Sequence, residues 1–88
     1  MNKYSKEYIR KDVQRIDALY NAYKVFDESG DSELLNVLES RIEQILIELV
    51  DELEMEDHRT HLKFYGFVDD NGDTSIVSEI LKVAKGVI

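Results

Sequence analysis

The stretch of residues 31–56, DSELLNVLESRIEQILIELVDELEME, constrains the fold more strongly than any other part of the sequence. Its apolar residues recur in alternating steps of three and four, which places them along one face of a helix. The members of this seam are Leu35, Leu38, Ile42, Ile45 and Leu49. Gly30 can end a preceding helix, and Asp31 or Ser32 can accept bonds from the first free backbone N–H groups. The pattern therefore predicts one long helix over residues 31–56.

A second amphipathic segment precedes it over residues 5–26, with Ser5 as a candidate N-cap. Its apolar residues follow the same seam spacing, in steps of four and three: Ile9, Val13, Ile16, Tyr20 and Tyr23. Only residues 27–30 connect the two segments, and a link this short makes neighbouring helices antiparallel. The sequence thus predicts a long antiparallel helical hairpin formed by residues 5–26 and 31–56.

The last third of the chain has a different pattern. Residues 61–68, HLKFYGFV, are aromatic and β-prone, and both a short extended segment and a short helix fit an apolar run of this length. Asn71-Gly72 is a strong turn signal, which leaves open a small β-hairpin with residues 74–77.

Helical spacing in the following residues favours a third helix over this β-hairpin. The apolar positions that fit it are Ile76, Ile80, Leu81, Ala84, Val87 and Ile88. Asp73 or Thr74 can serve as its N-cap. We expect a C-terminal helix over about residues 74–86 to close the helical hairpin. The predicted fold is mainly α, with residues 1–88 forming one small domain.

Acidic residues are concentrated in and around the central helix. The chain has a net charge of −8, and residues 27–57 hold twelve acidic residues against Arg41, for a net charge of −11. Residues 1–26 have a net charge of +3, so the two long helices have opposite charge, which suits antiparallel pairing. The remaining negative excess repels nucleic acid and attracts basic groups. We therefore expect a protein partner, basic in character, and no direct nucleic-acid binding.

The composition also excludes several classes of protein. The chain has no cysteine, which rules out disulfides and thiolate metal sites. No apolar run approaches the roughly 18 residues that a membrane span requires. Residues 1–12 are too polar for a signal peptide. We expect a soluble, cytoplasmic protein that does not bind a membrane.

One cluster of potential metal ligands lies at the predicted end of the central helix. If that helix continued to residue 61, Glu54, Asp57, His58 and His61 would lie within about 100° of one another. Their spacing lacks the His-Glu-x-x-His pattern, and histidine near a helix C-terminus is favourable for the dipole alone. The acidic turn at residues 69–73 fails the spacing of a calcium loop. We expect no bound metal and no cofactor.

Nothing in the sequence assembles a catalytic site. There is no Gly-x-Ser-x-Gly elbow and no phosphate-binding glycine loop, and a chain this small has little room for a substrate pocket. We therefore do not expect an enzyme. Asp12 lies near the edge of the apolar stripe of the first helix, where Arg15 can pair with it. A boundary residue in an ion pair is the expected role of Asp12, and a functional carboxylate is the alternative.

The outer side of the central helix is the predicted partner-binding surface. Its residues are Val37, Glu39, Glu43, Ile47, Glu48 and Asp51. Isolated exposed apolar residues are common, so Val37 and Ile47 are either simply solvent exposed or part of a second contact surface, which the C-terminal segment, another copy of the chain or a partner protein would cover. On the second interpretation, the chain is a small regulatory module that binds and modulates a partner protein. The same surface would form a homodimer.

Carboxylates on a rigid helix can also imitate the phosphate row of a nucleic acid. Small phage and mobile-element inhibitors use this device, and the chain is similar to them in size and charge. The alternative function is therefore inhibition of a DNA- or RNA-binding protein by mimicry. The two hypotheses differ in salt dependence, because salt screens binding through charges and leaves binding through apolar area largely intact.

Overall fold

The computed structural model describes residues 3–88, with side chains described from Lys6 onward. These residues form four helices: α1 (Lys3–Ser29), α2 (Ser32–Glu52), α3 (Glu56–Tyr65) and α4 (Ser75–Val87). The longest dimension is 41 Å, close to the roughly 40 Å expected for a helix of the length of α1. None of the described helices combines the length and apolar character that crossing a bilayer requires.

α1 and α2 form the predicted hairpin. Gly30 has a φ of 77°, and its N–H donates to the carbonyl of Phe26 at 3.1 Å, which ends α1. Asp31 is the N-cap of α2, since its carboxylate accepts the backbone N–H of Leu34 at 3.1 Å. α1 is longer than the predicted 5–26, and Ser5 lies inside it and not at its N-cap.

One hydrophobic core runs between the helices. Half of its sixteen buried side chains come from the seams predicted for the two long helices. The largest fully buried side chains are Ile9, Ile16, Ile42, Ile45, Leu46, Leu49, Phe67 and Ile80. The mainly α architecture, a helical hairpin covered by a C-terminal helix, is therefore confirmed.

α4 closes the hairpin by packing on α1 and α2. It buries its apolar face in the core: Val77, Ile80, Leu81 and Ala84. The carboxylate of Asp73 accepts the backbone N–H of Ser75 at 3.0 Å. Thr74 is the N-cap by position, but its hydroxyl forms a hydrogen bond with the hydroxyl of Tyr20 on α1. This bond ties the first turn of α4 to the hairpin.

The predicted central helix over residues 31–56 is too long, because α2 ends at Glu52. Glu54 has a positive φ of 57°. The N–H of Met55 donates to the carbonyl of Val50 at 2.9 Å, and that of Glu54 to the carbonyl of Asp51 at 3.2 Å. These two bonds define a Schellman motif, in which glycine usually holds the position of Glu54. With glutamate there, the sequence shows no helix stop.

The extended segment considered for residues 61–68 is also wrong for residues 61–65, which belong to α3. Gly66, with a φ of 72°, ends this helix, and its N–H donates to the carbonyl of Leu62 at 3.0 Å. Phe67 then enters the core, where it is 1% exposed and its ring meets that of Tyr23 edge-on, with centroids 5.4 Å apart. The turn around Gly72 is present, but it leads into α4 and not into a strand.

The opposite charges of α1 and α2 are not joined by ion pairs among the described side chains. The pairs present there are Glu7–Arg10, Asp12–Arg15, Asp17–Lys85, Asp51–Arg59 and His58–Glu79. Two of these lie within α1, and the others connect α4 to α1, α3 to α2 and α3 to α4. The core therefore sets the register of the hairpin, since exposed ion pairs contribute at most about 1 kcal/mol each.

Candidate functional site

Two neighbouring aromatic side chains are exposed at the end of α3. Phe64 is 76% exposed and Tyr65 is 73% exposed, more than any other large apolar side chain whose exposure is described. Leu62 is buried, and Asp57, His61 and Phe64 are spaced by four and three residues on a different side of the helix. The ring of His61 lies 5.2 Å from that of Tyr65. We refer to Asp57, His61, Phe64 and Tyr65 as the α3 face, and to the last two as the aromatic pair.

A cleft of about 360 Å³ lies beside the α3 face, between α3 and the start of α4. Its ionisable lining residues are Asp57, His58, His61, Asp69, Asp73 and Glu79. Across the cleft, Nε2 of His58 lies 3.4 Å from Oε2 of Glu79. We refer to this space as the α3–α4 cleft and to its four acidic groups as the cleft carboxylates. Asp69 and Asp73 also accept backbone N–H groups within their own turn, but these neutral donors leave the negative charge in place for a cationic group of a ligand.

The four residues considered as metal ligands are divided between two places. Asp57, His58 and His61 line the α3–α4 cleft, whereas Glu54 lies in the turn that ends α2. The predicted cluster required one continuous helix through residue 61, and the Schellman motif interrupts that helix. Within the described part of the chain, no three Asp, Glu or His side chains are arranged as metal ligands.

A second cleft, of about 440 Å³, lies between the two long helices. α1 contributes Tyr8, Asp12 and Arg15 to its lining, and α2 contributes Glu48, Asp51 and Glu52. We refer to it as the Asp12 cleft. Asp12 is 4% exposed, so it lies deeper than the boundary position expected for it. The expected pair is present, with Nη1 of Arg15 3.7 Å from Oδ1 of Asp12.

The surroundings of Asp12 oppose its ionisation. Burial is the largest cause that raises its pKa, from the ordinary 3.8 to about 6. The negative charges of Glu48 and Glu52 add to the rise, while the positive charges of Arg15 and Arg41 oppose it. The ionised carboxylate therefore lowers the stability of the fold at neutral pH.

Two of the predicted partner-binding carboxylates are held within the fold. Glu39 is half-buried and accepts a hydrogen bond from the hydroxyl of Tyr23 at 3.3 Å. Burial, and then the charge of Glu39, raises the pKa of Tyr23 to about 12. Glu43 is also half-buried, and its pKa rises through burial and the charge of Glu39, although the backbone N–H of Phe67 bonds to it. A Cβ at Gly66 would lie 2.5 Å from Oε1 of Glu43, so this connection is closely packed.

The other predicted partner-binding residues have four different environments. Val37 is 64% exposed, whereas Ile47 is partly buried and packs against the core. Glu48 is exposed and lines the Asp12 cleft. Oδ1 of Asp51 lies 2.7 Å from Nε of Arg59 on α3, so a cation already balances that charge. The structure thus does not bring the six predicted residues together on one free surface.

The aromatic pair is a candidate that the sequence reasoning missed. An apolar run that contains Leu62, Phe64, Tyr65 and Phe67 is equally typical of a buried strand. The signal that would have identified Phe64 is its direction on a helix, about 200° from Leu62. Applying it requires knowing that α3 exists, and the unmarked end of α2 conceals this.

Comparisons of the chain with protein-family models, with curated proteins and with solved structures find no match in any of the three. Function is therefore inferred from the geometry of the chain's own residues. That geometry offers an exposed aromatic surface beside an acidic cleft, and a separate cleft around a buried carboxyl group.

Proposed function

We propose that the chain is a small, non-catalytic interaction module that binds a partner protein through the α3 face and modulates it. The exposed aromatic pair, Phe64 and Tyr65, is the observation that carries this proposal. Aromatic residues are enriched at protein interfaces, where each ring removes a large apolar area from water. Together the two side chains can bury on the order of 300 Å², which corresponds to about 7 kcal/mol before the costs of association.

The surroundings of the aromatic pair favour a basic partner. Asp57 and His61 of the α3 face also line the α3–α4 cleft, so the aromatic surface continues directly into the cleft carboxylates. The net charge of −8 attracts basic proteins over longer distances. We infer that the partner packs an apolar residue on the aromatic pair and places a neighbouring Lys or Arg in the cleft.

Site-specific photo-crosslinking tests this proposal. Phe64 is replaced by the photoreactive analogue benzoylphenylalanine in the full chain, which is then irradiated in an extract of its source cells. Val25 provides the matched control position, since its side chain is 64% exposed and it belongs to α1, outside the α3 face. A distinct basic protein that crosslinks from position 64 and not from position 25 is the expected result.

Two other results count against the proposal. Equal crosslinking from positions 64 and 25, or none from either, would show that the aromatic pair is no preferred contact. Crosslinking of the chain only to its own copies would replace the partner protein with a homodimer. Circular dichroism of each variant establishes that it remains helical.

The nucleic-acid mimic receives less support from the described contacts. Mimicry needs a row of free carboxylates, but Glu39, Glu43 and Asp51 are each held by another group of the fold. Arg41 and Gln44 are exposed between the acidic ends of α2 and interrupt that row. We therefore place this alternative second. Its distinguishing result is a basic partner that is released by moderate salt and by changing Glu39, Glu43 and Glu48 together to glutamine.

The homodimer remains a prediction. The partly buried position of Ile47 reduces the proposed α2 dimer surface largely to Val37. Light scattering coupled to size exclusion distinguishes a 10.3 kDa monomer from a dimer. If the chain is dimeric through this surface, Val37→Asp is expected to produce the monomer. A dimer that survives this substitution would place the contact elsewhere.

A further inference from the structure

Asp12 is the one charged residue in the buried class among those whose exposure is described. It lies on α1 between the core residues Ile9, Val13 and Ile16, and it forms part of the wall of the Asp12 cleft. A deeply buried carboxyl group usually has a hydrogen-bonded or ionic partner. Its contact with Arg15, at 3.7 Å, exceeds hydrogen-bond distance, and the side chain of Arg15 is 54% exposed.

The opposite wall of the cleft adds negative charge. Glu48, Asp51 and Glu52 of α2 face Asp12 and Arg15 of α1 across a space of about 440 Å³. That volume lies within the usual range of ligand sites. Asp51 is paired with Arg59 of α3, so Asp12, Glu48 and Glu52 share the cleft with the guanidinium group of Arg15, whose side chain is 54% exposed. Asp12 is the most buried of these carboxyl groups, and the attraction for a cation is strongest where water screens it least.

We propose that the Asp12 cleft binds the guanidinium group of an arginine side chain presented by a partner protein. Asp12 would accept its N–H groups from the α1 side and Glu48 from the α2 side. Tyr8, which is 60% exposed in the cleft lining, offers a ring on which the planar group can stack. Guanidinium fits better than ammonium, since it is weakly hydrated and donates in a fixed planar fork.

The inference is independent of the α3 face, because the two sites share no lining residue. The test titrates N-acetyl-Ala-Arg-Ala-amide into ¹⁵N-labelled full chain at pH 7.5 and follows amide shifts. The matched peptide carries citrulline, a neutral isostere of arginine. Asp12→Asn removes the buried charge, and Glu33→Gln removes an exposed α2 charge outside the cleft.

The arginine peptide is expected to shift amides around Tyr8, Asp12 and Glu48. Citrulline in the peptide, or Asp12→Asn in the chain, is expected to weaken binding at least about tenfold, whereas Glu33→Gln leaves it within about twofold. Glu48→Gln provides a second cleft variant at an exposed position, which cannot fail through misfolding of the core. Equal affinity of the wild-type chain for both peptides, or equal affinity of Asp12→Asn and wild type for the arginine peptide, would overturn the proposal.

A variant in which Phe64 and Tyr65 are both replaced by serine separates this proposal from the α3 face. It is expected to bind the arginine peptide as the wild type does. Parallel loss of peptide binding in that variant would assign the cation to the α3–α4 cleft and refute the role of Asp12.

Discussion

Asp12→Asn is expected to stabilise the protein at neutral pH, although it removes a buried group that forms an ion pair. The rise in pKa from 3.8 to about 6 corresponds to about 3 kcal/mol of differential interaction between the protonated and ionised carboxyl group. Burial next to Glu48 and Glu52 disfavours the ionised form, and Arg15 and Arg41 offset this only in part. Asparagine has the same shape and no charge to bury.

The sign of the pH dependence follows from the direction of the shift. A raised carboxyl pKa means that the folded state binds the proton more tightly, so the contribution of Asp12 to stability is greatest below pH 3.8 and is lost as pH rises through about 6. The Asp12→Asn variant has no ionisable group at this position, so its stability does not show this decline. The increase in its free energy of unfolding over wild type is expected to be near zero at pH 3, to grow between pH 4 and 6, and to reach about 2–3 kcal/mol at pH 7 to 8.

Urea denaturation followed by circular dichroism at pH 3, 5 and 7.5 measures this difference. At pH 7.5 the gain corresponds to a rise in melting temperature of about 10 °C for a domain of this size. Asp17→Asn is the matched control, because it removes the same charge from a side chain of α1 that is 48% exposed. Its effect is expected to stay within about 0.5 kcal/mol at every pH. A gain for Asp12→Asn that does not vary with pH, or a loss at pH 7.5, would refute the reasoning.

Three further stability measurements by urea denaturation test the fold. Glu54→Gly is expected to raise the free energy of unfolding by about 0.5–1 kcal/mol, since glycine adopts the left-handed conformation at the end of α2 without Cβ strain. A decrease in the free energy of unfolding would contradict that geometry. Gly66→Ala is expected to lower it by about 1–3 kcal/mol, because its φ of 72° and ψ of −162° are open almost only to glycine. Gly72→Ala, where a Cβ meets nothing within 4 Å, is the milder comparison, and equal losses would argue against close packing at residue 66. Ile47→Asp is expected to cost about 2 kcal/mol or more through its contact with the core, whereas the exposed Val37→Asp stays within about 0.5 kcal/mol. Similar effects of these two substitutions would contradict the difference in burial.

The hairpin could be predicted from the sequence because its physical causes are local. The seam spacing of α1 and α2 identifies ten residues, of which eight are buried in the core. Gly30 with Asp31 specifies both the end of one helix and the cap of the next. α4 followed from the same spacing. Each of these elements contains its own signal, so no tertiary information was needed.

The break between α2 and α3 could not be predicted in this way. The Schellman motif at Glu54 is stabilised by Met55 and Val50, which contact the core, and a glutamate accepts the left-handed conformation there only because packing compensates for it. Because the sequence does not mark this turn, the assignment of residues 53–66 from the sequence differs from the structure. The turn separates Glu54 from the other proposed metal ligands, and it precedes α3, the helix that exposes the aromatic pair.

The partner-binding surface proposed on α2 was inferred from the directions in which side chains point around a single helix. Tertiary packing changes the environment of two of its residues. Ile47 packs partly against the core, and Glu43 accepts a hydrogen bond from the backbone of Phe67 in the α3–α4 connection. Charge patterning alone does not reveal which carboxylates a later segment will hold. The Asp12 cleft has the same origin, since its walls come from helices on both sides of the hairpin.

The affinity of the crosslinked partner for three forms of the full chain tests the central proposal most directly. The forms are wild type, the double variant Phe64→Ser with Tyr65→Ser, and the control Val25→Ser, compared by calorimetry at 0.15 M and 1 M salt. We predict that the double variant, which should keep its stability because both side chains are exposed, loses at least about 100-fold in affinity. The control should stay within about twofold of wild type, and wild-type binding should persist in part at 1 M salt. Equal affinity of the double variant and wild type would contradict the proposed role of the α3 face.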